Sequence, residues 1–192
     1  MAAIRNMTAE EIRSRTGRFT GLKPMTTAKS LADKGVPLAA IDVVFARSLM
    51  PVVLEDANNP FGTASPITGA GGMSLHLSIC PPGQGPCLHS HNSTFETFVC
   101  LDGRWEFSVG DPMGDGGQQK LVLEKWDTFS CPPRVYRGFK NIWDRDSALM
   151  TIISGPADAR DDVSMPPQVA KELEAFGPHV LKAAEGVFHF DK

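Results

Sequence analysis

His89 and His91 lie two residues apart in a stretch whose composition reads as extended chain, so both imidazoles face one side with Cα atoms roughly 6 to 7 Å apart. That spacing lets two ring nitrogens meet one ion at about 2.1 Å. Glu96 follows five residues on, an odd offset that would put it on the opposite face of an unbroken strand, but a turn or bulge at Asn92-Ser93-Thr94 restores convergence. Two neutral imidazoles and one carboxylate suit Fe(II), Mn(II), Ni(II) or Zn(II). With positions left open for substrate or dioxygen they form the donor set of non-haem iron oxygenases, which favours Fe(II).

The elements that must position these residues are short strands. Met73, Leu75, Leu77 and Ile79 alternate with Ser74, His76, Ser78 and Cys80 at the two-residue period of a strand, and the polar set forms a face suited to line a cavity. Strands then recur to Ile153, separated by turn-rich segments at 81–86, 101–103, 111–117 and 131–133, the pattern of a sandwich or barrel. Upstream, Thr8 and Glu11 form a capping box that starts a short helix, with Gly17 and Gly21 beyond it. The stretch from Ala28 to about Leu54 reads as irregular chain feeding one or two strands, among them the apolar run from Ile41, and Asn58 to Gly72 reads as a long loop. Pro167 to Phe176 is punctuated as a helix, and Val180 to Ala184 adds a turn. The organisation expected is 1–72 packing on the barrel, 73–155 as the barrel core and 156–192 as a helical tail.

Gly83, five residues, His89-Ser90-His91, four residues, Glu96, six residues and Gly103 resemble the first motif of the cupin superfamily position for position. The segment from Trp126 to Asn141 resembles the second motif through Asp127, Pro132, Pro133 and Asn141. It departs where the family usually has glycines, here Trp126 and Arg134, and where it usually has a third metal histidine, here Arg137. The resemblance covers roughly Met73 to Ile153. It implies an all-β cupin-type double-stranded β-helix (jelly-roll) barrel with short terminal helices, a metal held by His89, His91 and Glu96, and a homodimer.

Arginine keeps its proton and offers only donors, so Arg137 does not complete the ligand set. Three accounts stay open: Arg137 grips a substrate carboxylate or phosphate, His76 supplies the missing imidazole from a neighbouring strand, or the polar pocket persists without metal. Tyr136 points opposite to Arg137 on a strand unless a Pro-Pro bulge reverses it and makes it a phenolic acid or base. Cys87 shares the face of His89 and reads as a small buried hydrophobe or a soft ligand. Phe95, Phe107, Phe129 and Phe139 read as core or cavity wall, with Phe98, Cys100 and Trp105, and His179 and His189 as solvated tail residues.

A net charge of −3 with mixed signs over 192 residues leaves no basic stripe for nucleic acid and no polybasic cluster for a membrane, so a small molecule is the expected partner. The N-terminus lacks the apolar run of a signal peptide, which suggests a cytoplasmic location with the four cysteines reduced. The expected function is a metal-dependent, dioxygenase-like oxidation of a small anionic molecule. A non-redox lyase, isomerase or decarboxylase, and a non-catalytic ligand-binding or sensing barrel, are the alternatives.

Overall fold

The computed structural model describes residues 4–54, 65–69, 71–155 and 163–191. Helix α1 (Ala9–Ser14) begins where Thr8 and Glu11 cap each other: the Glu11 amide donates to Thr8 Oγ1 at 3.1 Å and the Thr8 amide to Glu11 Oε2 at 2.7 Å. Two further helices, α2 (Thr26–Asp33) and α3 (Leu38–Val44), replace the irregular chain and strand expected there. The run from Ile41 is rich in β-branched residues, which favours strand locally. Tertiary packing overrides that preference: Pro37 sits at the N-cap, and Ala40, Ile41 and Val44 fall on one stripe that is buried.

The strands are β1 (Ser48–Leu54), β2 (Ile67–Thr68), β3 (Met73–Cys80), β4 (Ser90–His91), β5 (Phe95–Cys100), β6 (Arg104–Val109), β7 (Gln119–Glu124), β8 (Thr128–Cys131), β9 (Arg137–Asn141) and β10 (Ser147–Ser154). They are followed by β11 (Val163–Met165), helices α4 (Pro167–Glu174) and α5 (Pro178–Glu185), and β12 (His189–Phe190). Most of the expected loop from Asn58 to Gly72 lies outside the described residues; of it, Ile67 and Thr68 pair in parallel with β1.

One wall of the barrel is the six-stranded sheet β2-β1-β3-β10-β5-β8. The other is built from β7-β6-β9 and β12-β11-β4, two three-stranded sheets joined where His89 and Arg137 exchange both backbone hydrogen bonds, at 2.9 and 2.8 Å. The walls meet in an aromatic core. Phe98 of the first packs on Phe107 and Phe139 of the second at centroid distances of 4.8 and 5.0 Å, and Cys80, Cys100, Trp105, Leu123 and Leu149 are buried with them. Phe95, expected in the core or cavity wall, is instead 48% exposed, because it alternates outward from Glu96 and Phe98. A second core joins both ends of the chain: Leu31, Ala40, Ile41 and Val44 pack with Met165, Val169, Leu173 and Val180.

This is an all-β, two-sheet barrel with short terminal helices, the architecture that the motif spacing implied. Trp126 and Arg134, where glycines were missing, keep the left-handed backbone that glycine favours, with φ of 75° and 63°. Each amide is tied down, Trp126 donating to the Cys100 carbonyl at 2.8 Å and Arg134 to the His91 carbonyl at 2.7 Å. No helix among the described residues is long and apolar enough to cross a membrane.

Candidate metal centre

His89 is set by its paired bridge to β9, His91 lies in β4, and Glu96 in β5. Between the last two the chain bends at Asn92-Ser93, and this bend converts the odd offset into convergence. One ligand atom from each of His89, His91 and Glu96 lies within 4.8 Å of the others, and all three residues are buried. Glu96 Oε2 stands 3.4 Å from His89 Nε2 and 3.8 Å from His91 Nε2.

Both imidazoles are held from behind. His89 Nδ1 lies 2.8 Å from the Cys87 carbonyl, which only accepts, so Nδ1 carries the proton. His91 Nδ1 pairs with Thr94 Oγ1 at 2.9 Å. Burial lowers the pKa of His89; the Glu96 hydrogen bond opposes that shift and Arg137 adds to it. At neutral pH His89 Nε2 is therefore a bare lone pair aimed at a carboxylate oxygen that also only accepts. Two acceptors 3.4 Å apart call for a cation between or beside them, and the N, N, O donor set with anchored rings fits a divalent metal.

The cation the chain itself supplies is Arg137. Its side chain is wholly buried, its Nε donates to Glu96 Oε2 at 2.7 Å and its Nη1 to the Val135 carbonyl at 3.2 Å, while Nη2 is buried without a partner among the described residues. Burial would raise the Glu96 pKa, but the charge of Arg137, joined by the imidazoles only where they are protonated, outweighs it and holds the carboxyl well below the usual range. Arg137 is thus joined to the cluster through Glu96.

His76 is buried on the polar face of β3 and feels the charges of Glu96 and His91, yet it stands outside the 4.8 Å cluster. Its Nε2 lies 3.3 Å from Ser74 Oγ, and its Nδ1 is buried without a partner among the described residues. Tyr136 donates its hydroxyl to Asp191 beside β12, and no hydrogen bond joins it to His89, His91 or Glu96 among the described residues. Cys87 packs against the helical core, and burial pushes its thiol up to about 12, so its contribution to the centre is its carbonyl. His189 is exposed and 3.7 Å from Asp191. Sequence reading missed Thr94; its position three residues after His91, in the turn, was the available signal.

Burial, the dominant cause, pushes the His76 pKa down from 6.5 to about 4, with Glu96 opposing and His91 reinforcing. The unfolded chain then binds the extra proton first, so this contribution is intact above pH 6.5 and is lost as pH falls towards 4. At about 1.4 kcal/mol per pH unit the loss approaches roughly 3 kcal/mol. Urea unfolding of metal-free protein at pH 7 and pH 4.5 should show a decline in stability that His76→Gln reduces by about 2 to 3 kcal/mol. An equal decline in both proteins would place the titration elsewhere.

No family model and no curated protein sequence matches the chain. Solved structures match parts of it. A cupin protein from Bacteroides fragilis is 23% identical with a TM-score of 0.38, covering 45% of this chain and 69% of that one. The cupin domain of Schizosaccharomyces pombe Cnp3 is 17% identical with a TM-score of 0.39, covering 45% and 58%. A predicted oxalate decarboxylase from Thermotoga maritima is 20% identical with a TM-score of 0.37, covering 43% and 65%. The chain spans less than two thirds of the last two.

Proposed function

We propose that the chain is a metal-dependent cupin enzyme acting on a small anionic organic molecule, with a dioxygenase-like oxidation as its reaction. The observation that carries this reading is the convergence of His89 Nε2, His91 Nε2 and Glu96 Oε2, buried potential ligand atoms of which the two rings are held from behind by the Cys87 carbonyl and Thr94. A divalent ion, Fe(II) favoured over Mn, Ni or Zn, would be held by these three residues and would supply Lewis acidity and open positions for substrate and dioxygen. Glu96 contributes the one negative charge of the ligand set. Arg137 Nη2 offers an unpaired donor to an anionic substrate group. Phe98, two residues from Glu96 on the same face of β5, begins the apolar packing that keeps water from that side of the cluster.

A ligand-holding barrel that catalyses nothing is the second reading, favoured by the Arg137–Glu96 ion pair, which neutralises the carboxylate without a metal. Elemental analysis of untagged protein separates the two. Stoichiometric metal that disappears in His89→Ala and His91→Ala is the result expected of the enzyme; protein that takes up neither Fe(II) nor Mn(II) under anaerobic loading sinks that reading. Oxygen uptake with small carboxylates then divides an oxidation from a lyase or decarboxylase reaction.

A further inference from the structure

The buried charges around Glu96 do not balance once a metal is bound. Glu96 carries one negative charge and Arg137 one positive charge, 2.7 Å apart, so the pair is already neutral. A metal-ligating imidazole is neutral, so His89 would add no charge, and His89, His91, Glu96 and Arg137 are each no more than 9% exposed. With His91 also neutral as a ligand, a divalent ion would leave two uncompensated positive charges in an interior that water barely reaches, an unfavourable arrangement without a counter-ion. Around the same cluster two buried polar atoms have no partner among the described residues, Arg137 Nη2 and His76 Nδ1. The first can only donate.

Resting on the metal reading above, we infer that this barrel binds its metal and a small dicarboxylate or similar dianion as a coupled pair, with Arg137 as the residue that couples them. Arg137 disfavours the metal alone, because it already engages the oxygen that both imidazoles face and adds its own charge. It favours the anion, because its free Nη2 donates to it. By linkage the metal must tighten the anion by the same factor that the anion tightens the metal.

The test is calorimetric and needs no turnover. Malonate is titrated into metal-free and Mn(II)-loaded protein, with neutral malonamide as the control. Malonate should bind the loaded protein at least about tenfold more tightly, and malonamide should show no such preference. In Arg137→Gln, Mn(II) alone should bind at least about tenfold more tightly than in the unaltered protein, and the malonate coupling should shrink to less than about threefold. Equal malonate affinity with and without Mn(II) overturns the inference while leaving the metal centre standing. Coupling unchanged in Arg137→Gln overturns the role of Arg137. Failure of the unaltered protein to bind Mn(II), with or without malonate, overturns the metal reading itself. Should Arg137→Gln fail to fold, the comparison of loaded with metal-free unaltered protein still decides the coupling.

Discussion

Replacing Glu96 by alanine in metal-free protein is expected to remove about 3 to 5 kcal/mol of folding stability, measured by urea unfolding at neutral pH. The loss comes from Arg137. Its side chain is wholly buried, it cannot shed its proton, and without Glu96 its remaining hydrogen bond is the one from Nη1 to the Val135 carbonyl. Nη2 has no partner among the described residues to begin with, so the guanidinium would be left buried and largely uncompensated. The double replacement Glu96→Leu with Arg137→Met removes both charges at similar volume and should recover most of that stability or exceed the parent, since a well-packed apolar pair often does better than a buried ion pair. A cost below about 1 kcal/mol for Glu96→Ala would mean that water reaches Arg137 in solution. The contrast between single and double variants bears on function. With that outcome the pair contributes little net stability, and its place where three potential ligand atoms converge is better explained by what it holds ready than by what it stabilises. For the same reason His89→Ala and His91→Ala are the cleaner reporters of metal binding.

The strand region was legible because its signal is periodic and local. From Met73 to Ile153 the alternation and turn residues matched the structure, and the polar face of β3, Ser74 to Cys80, includes the buried His76 and Ser78. The cluster of His89, His91 and Glu96 was legible because a bend of two residues is enough to correct the offset. The helices α2 and α3 were not: in α3 the β-branched Ile41, Val43 and Val44 favour strand, and both helices bury their apolar residues against the C-terminal helices, a partner more than a hundred residues away. Tyr136 was legible as to parity but not as to partner, since Asp191 belongs to the far end of the chain. At Trp126 and Arg134 the residue type concealed the geometry of the turn: the backbone is left-handed in spite of the side chains, which Trp126 accommodates by standing 69% exposed.

Gly85→Ala should be among the most damaging single changes outside the cluster, although nothing in its backbone conformation announces it. The segment before His89 lies against β9, with the Gly83 amide donating to the Asn141 carbonyl at 2.8 Å, the Asn141 amide to the Gln84 carbonyl at 3.0 Å and the Phe139 amide to the Pro86 carbonyl at 3.2 Å. A Cβ on Gly85 would sit 2.0 Å from the Phe139 carbonyl oxygen and 2.8 Å from the Lys140 Cα, and neither backbone atom can swing aside. The segment must therefore lift from β9, weakening the ladder that ends in the paired bonds between His89 and Arg137. A loss of roughly 3 kcal/mol or more, the upper end for overpacking, is expected in urea unfolding, together with weaker metal retention. Gly83→Ala is the control. Its φ of 79° makes alanine strained, but nothing lies within 4 Å of the added carbon, so the cost should stay near 1 to 2 kcal/mol, the ordinary penalty for a left-handed residue. If Gly85→Ala proved no worse than Gly83→Ala and held metal as well as the parent, the close approach of this segment to β9 would not be what positions His89. If the order is as expected, the glycine that matters most for the centre is the one required by packing, and its effect reaches the imidazole through the backbone rather than through any side chain.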